Sequence, residues 1–171
     1  MIDYRIKSVE GFTEKIGELV SMLEHTRAVT LEEIKGLSQG ELDYRVDQDA
    51  NSIGALLLHI ASIEYVHQVV SFEGRDLNAE ELERWKTALE LGENAKAIQN
   101  HPVEIYLKEL SHVRENTIRQ LKQLNDEWLL QEKEWGHGVP YNHYYLWFHV
   151  FEDEINHRGQ IRAIKRQLLH G

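Results

Sequence analysis

Between Ser52 and Gly74 the positions Leu56, His59, Ile63, Val66 and Val70 recur at spacings of 3, 4, 3 and 4. That period puts all five on one face of an α-helix, whereas a strand would alternate its faces every second residue. Asn51 or Ser52 can cap the helix start, and Gly74 marks its end. A helix this apolar on one side has to bury that side against other helices or a sheet.

The same period returns elsewhere. From about Phe12 to Ile34 the stripe is Phe12, Ile16, Leu19, Leu23, Leu31 and Ile34, closed by Gly36 and Gly40. After His101-Pro102 comes Val103, Tyr106, Leu110, Val113, Thr117, Leu121 and Leu124. The last stretch, from about His143 to Leu169 with Asn142 as its cap, carries Leu146, Val150, Asp153, His157, Ile161, Ile164 and Leu168. Asn78 and Glu81 resemble a capping box and open a further helical stretch from Ala79 to Ala97, so 76–100 is expected to form a short helix or a lid. Residues 128–141 lose the period and contain turn residues, which predicts a structured loop. With two prolines in 171 residues, no strand pattern and no internal repeat, the expectation is an all-α chain. Its predicted architecture is a single-domain four-helix bundle over 1–171, with a short extra helical segment between the second and third bundle helices.

Charge and composition narrow the partners. A formal net charge of -10 and the absence of a large Lys/Arg cluster argue against nucleic acid. No run of about 18 apolar residues and no leader pattern are evident, so no membrane is expected and a cytoplasmic location is. The chain has no cysteine, which excludes disulfides, thiolate ligands and a cysteine nucleophile; any thiol in its chemistry must come from outside. Arg158, Arg162, Lys165 and Arg166 make the final helix basic, as the helix macrodipole favours, with an anionic substrate as the sharper alternative.

Two stripe positions are polar. Asp153 and His157 lie one helical turn apart and point the same way, and His59 holds an inward position on the second helix. A buried lone carboxylate costs several kcal/mol unless paired. Two imidazoles and a carboxylate are the protein ligands of open zinc sites and of ferrous facial triads. The residues alone leave two readings open, a three-ligand metal site or a buried hydrogen-bonded network.

Other residues carry alternatives of their own. His149 is either a further nitrogen or a rim residue, and His67 is expected to be partly exposed. Glu64 and Glu154 can orient an imidazole or lie in solvent. Gln160 can face a cavity one turn beyond His157, although Gly159 beside it suits close helix packing. Trp135, Tyr141 and Tyr144 can wall a cavity mouth.

"SIGALLLHIASIEYVH" at 52–67, followed by "HVFEDEINHRGQIRAIKRQL" at 149–168, resembles the DinB-like, or YfiT-like, superfamily of metal-binding four-helix bundles. The resemblance covers nearly the whole chain, including "GLSQGELDYRV". It implies metal ligands at His59 and His157, with Asp153 where that superfamily usually has a third histidine. Zinc, nickel, iron or manganese suits such a set, and the carboxylate shifts the preference among them. The resemblance further implies a metal-dependent transferase using a low-molecular-weight thiol such as bacillithiol or mycothiol. The alternatives are a metal-dependent hydrolase and a non-catalytic, dimeric stress-associated or ligand-binding bundle. A homodimer is expected in either case.

Overall fold

A computed structural model describes residues 2–170, with His170 described by its backbone alone. Four long helices organise the chain: α1 (Glu14–Ile34), α3 (Ile53–Gln68), α5 (Val103–Leu121) and α7 (His143–His170), with short helices α2 (Gln39–Asp43), α4 (Ala79–Leu89) and α6 (Asp126–Leu130) in their connections. α7 packs along both α1 and α3, and α3 also packs on α5, so α3 is enclosed on several sides. It continues through a π-helical turn, Val69–Glu73, and stops at Gly74, whose φ of 65° suits a residue without a β-carbon.

The ends are set by short-range chemistry. Ser52 caps α3 by accepting from the Ala55 amide, Asn142 accepts from the Tyr145 amide at the start of α7, and Asn78 and Glu81 form the expected capping box on α4. A second capping box, Ser38 with Glu41, starts α2 inside a connection expected to be merely polar. α1 is capped from outside, because Thr13 makes no cap bond of its own. Asp126 of α6 instead accepts from the Thr13 hydroxyl and from the Lys15 and Ile16 amides.

Several expectations are corrected. The helix foreseen from Ala79 to Ala97 stops at Leu89; Leu91 and Gly92 both have positive φ, and only a 3₁₀ turn, Asn94–Ala97, follows. Within 128–141 lie the end of α6 and an antiparallel hairpin, β1 (Glu132–Glu134) with β2 (Pro140–Asn142), a small addition to a helical fold. Leu31 faces outward, and Ile63, Val66 and Val70 are only partly buried, whereas Leu57, Ile60, Ala61 and Glu64 are enclosed. A helix covered on several sides has no single buried stripe, so a 3,4 pattern cannot locate its core face. Ile53–Glu73 is in fact long and apolar enough by composition to cross a membrane, and 67% of its apolar window is buried inside the protein, where it serves as the core helix.

The core has two apolar clusters. One gathers Leu42, Leu56, Ile60, Trp85, Tyr106, Leu110 and Ile161; the other gathers Ile16, Leu19, Leu23, Leu121, Trp147 and Val150. Gly54 lets α3 and α5 approach closely, since a β-carbon there would collide with the Tyr106 ring. Between the clusters each long helix contributes one buried charge: Arg27, Glu64, Arg114 and Glu154. Arg27 donates to Glu154 at 3.0 Å and to Glu64 at 2.9 Å, and Arg114 donates to Glu64 at 2.8 Å. Further guanidinium hydrogens reach the carbonyls of Leu110 and Leu23, and the Thr117 hydroxyl donates to Glu64. Burial pushes the Glu64 carboxyl up, but the charges of Arg114 and Arg27 outweigh it and bring its pKa down to about 2.

Candidate metal centre

Directly beside this charged layer, α3 and α7 bring three donor groups together. His59 of α3 and Asp153 and His157 of α7 each offer an atom, all within 4.8 Å of one another. The Asp153 Oδ1 lies 3.3 Å from His157 Nε2 and 3.9 Å from His59 Nε2, and the two imidazole rings meet edge to face at 4.6 Å. Their side chains are 9, 13 and 8% exposed for His59, Asp153 and His157, so water has little access.

The second coordination partner of one imidazole is already fixed. His59 Nδ1 donates to the Ala88 carbonyl of α4 at 2.8 Å, which leaves Nε2 as a lone-pair donor facing Asp153. α4 thus forms one wall of the site. It is anchored by Glu81, which accepts from Arg75 and from the Tyr65 hydroxyl, and by Trp85 packed against Tyr65. The segment expected as a short helix or a lid contains the short helix α4 and is a packed cover whose Trp85, Ala88, Ala95 and Ile98 are buried.

Burial pushes Asp153 up, yet the adjacent His157 and His59 rings outweigh it and hold the carboxyl well below the ordinary carboxylate range. It is therefore an anion at neutral pH. Its Oδ2 is buried without a hydrogen-bond partner, as is His157 Nδ1. Tyr106 Oη and Trp147 Nε1 in the core are equally without partners, so these two atoms count only together with the convergence of the three donors. A divalent ion with bonds of roughly 2.1 Å sets tetrahedral ligand atoms about 3.4 Å apart; the two distances to Asp153 are 3.3 and 3.9 Å and all three donors lie within 4.8 Å, so small side-chain movements would close the set on an ion. The residues present fit the group.

The neighbouring candidates separate from this centre. His149 is half-buried, with Nδ1 on Glu152 at 3.2 Å, and its ring lies 5.6 Å from that of His67, whose own Nδ1 donates to the Ile63 carbonyl. Glu64 and Glu154 orient no imidazole; both belong to the four-charge layer. Gln160 and Gly159 are exposed, and nothing would touch a β-carbon at Gly159, so close packing does not explain that glycine. Trp135 stacks on Tyr141 at 3.9 Å on the hairpin, while Tyr144 packs with the Trp147 cluster, so they do not share one wall. Arg162 and Lys165 pair with Glu33 of α1. Arg27 and Arg114 went unseen in the sequence, although each falls four residues after a buried leucine, Leu23 and Leu110.

Residues 18–171 match the protein family described as mycothiol-S-transferase. No curated protein matches the chain. Among solved structures, a conserved protein from Enterococcus faecalis superposes with a TM-score of 0.70 at 16% identity, covering 90% of this chain and 96% of its own. A protein from Streptococcus pneumoniae gives 0.66 at 14% identity, covering 97% and 94%. The colibactin self-resistance protein ClbS, solved in complex with a double-stranded DNA, gives 0.62 at 12% identity, covering 88% and 94%. At these identities the likeness is one of fold.

Proposed function

The chain belongs to the mycothiol-S-transferase family, and we propose that it is a metal-dependent transferase acting with an external low-molecular-weight thiol such as mycothiol or bacillithiol. On this reading it is a DinB-like four-helix bundle forming one domain, with α1, α3, α5 and α7 as the bundle helices. The observation that carries it is the converging set His59, Asp153 and His157, with an anionic carboxylate left one buried oxygen short of partners.

Those three residues would hold a divalent transition ion, zinc, nickel, iron or manganese, through two nitrogens and an oxygen. Such an ion, when bound, makes a thiol more acidic and keeps it as a thiolate. The protein's own groups prepare for that. The Ala88 carbonyl fixes the His59 tautomer, and Asp153 supplies negative charge without first losing a proton at neutral pH. The low exposure of the three side chains keeps bulk water from competing for the centre. In the transfer itself the thiol loses its proton, a sulfur–carbon bond forms, and the electrophile's leaving group departs with its bonding electrons. The absence of cysteine means that the sulfur nucleophile is the cosubstrate's. Nucleic acid is not part of this reading: the net charge is -10, and Arg162 and Lys165 of the final helix are engaged with Glu33.

The test offers mycothiol, bacillithiol and glutathione in turn with an aryl halide to protein loaded with each of the four metals. Conjugation that needs metal and disappears in His59→Ala supports the proposal. Turnover that survives both chelation and His59→Ala contradicts it.

A further inference from the structure

The seam between α3 and α7 continues past the metal centre. His67 stands two turns beyond His59 on α3, and His149 stands one turn before Asp153 on α7. The two helices pack with opposite directions, so the same packing that joins His59 to Asp153 sets His67 against His149. Their ring centres are 5.6 Å apart and their planes are inclined at 52°. Neither residue belongs to the group formed by His59, Asp153 and His157.

The two rings are supported in the same way. His67 Nδ1 donates to the Ile63 carbonyl at 2.7 Å, and His149 Nδ1 donates to the Glu152 carboxylate at 3.2 Å. In a neutral ring each bond places the proton on Nδ1 and leaves a lone pair on Nε2. Among the described residues neither Nε2 has a hydrogen-bond partner. A backbone carbonyl or a carboxylate on the far nitrogen is the support that metal-binding imidazoles ordinarily carry. Burial pushes the His67 imidazole below its ordinary pKa, so at neutral pH it has no proton to lose before it binds an ion. The negative charges of Asp153 and Glu64 also act on His67 and favour a cation beside it.

We propose that His67 and His149 form a second metal-binding site, a clamp of two imidazoles across the α3/α7 seam that takes a divalent ion of the zinc, nickel or copper kind. Two imidazoles that share an ion through Nε2 at about 2.1 Å bring their ring centres roughly 5–6 Å apart, and the 5.6 Å found here falls in that range. Nitrogen donors select such ions over magnesium and calcium, which favour oxygen. The other coordination positions are open to water or to donor atoms of a bound molecule. With two protein ligands in place of three, the clamp holds its ion more weakly than the neighbouring centre and gives it up on desalting. Its place one turn of α7 from Asp153 sets a further positive charge at the edge of that centre, whatever reaction the centre supports.

Equilibrium dialysis of the full chain against nickel at neutral pH, with free metal kept present, tests the proposal. Wild type takes up a second equivalent that desalting removes. His67→Ala and His149→Ala each lose that equivalent and keep the one assigned to His59, Asp153 and His157, which also shows that both variants fold. A second measurement leaves the first centre out: in the H59A/H157A chain, added zinc shifts the imidazole signals of His67 and His149 together in nuclear magnetic resonance spectra. Failure of the first centre shows separately, as equal uptake by wild type and H59A/H157A. A second equivalent that survives both single substitutions, or zinc that leaves the His67 and His149 signals in place, would overturn the clamp.

Discussion

Asp153 is the residue on which the site turns. Burial alone would favour its neutral form, and the two flanking imidazoles reverse that preference. Its carboxylate supplies the only negative charge among the three converging donors, so Asp153→Ala should lower divalent-metal affinity by at least about 100-fold in a titration followed by calorimetry. Asp153→His, which restores a nitrogen at the same place, should keep an ion bound while changing the preference among zinc, nickel and manganese. Equal affinity in the alanine variant would remove Asp153 from the ligand set. At this scale the meeting of the three residues was legible, since Asp153 and His157 lie one turn apart on a core stripe and His59 falls on the apolar face of its own helix, while the choice between ligand set and polar network was not. The Ala88 carbonyl was not legible, since a backbone acceptor from a separate helix leaves no trace in residue identity.

Helices meet through the four charges Arg27, Glu64, Arg114 and Glu154, and sequence reading left both glutamates undecided while passing over the arginines. Each follows a buried apolar residue by four positions, Leu23, Ile60, Leu110 and Val150, and the signs sum to zero. Those two facts together would have marked an internal layer; any one charge alone resembles surface. Glu64→Gln leaves two guanidinium groups short of a counter-charge and should destabilise the protein by about 3–5 kcal/mol in urea unfolding. A value near zero would mean that the layer contributes nothing net. The α4 cap is a smaller lever. Asn78→Ala should cost about 1 kcal/mol locally, read as faster amide exchange in α4 alone, and should loosen metal binding because the Ala88 carbonyl positions His59.

For the whole molecule, pH converts this layer into a stability profile. Glu64 has a folded-state pKa of about 2 against an ordinary 4.5, so its contribution is complete above the ordinary value and is lost as pH falls from 4.5 toward 2. The shift corresponds to about 3 kcal/mol. Melting temperature should stay level from neutral pH to about 5 and then fall, with a shallower fall in Glu64→Gln. The helical class and the four long segments were readable from period and caps, because each segment's core contacts repeat with the helix. The hairpin was not, since three-residue strands carry too few alternations to register.

The most direct test of the account is metal content, measured by inductively coupled plasma mass spectrometry on protein reconstituted with divalent metal and desalted, for wild type, His59→Ala and His157→Ala. Wild type should hold close to one equivalent of a transition metal, and both variants should lose most of it. A wild type that holds no metal after exposure to zinc, nickel, manganese and ferrous iron would reduce His59, Asp153 and His157 to a structural polar network and contradict the proposed chemistry.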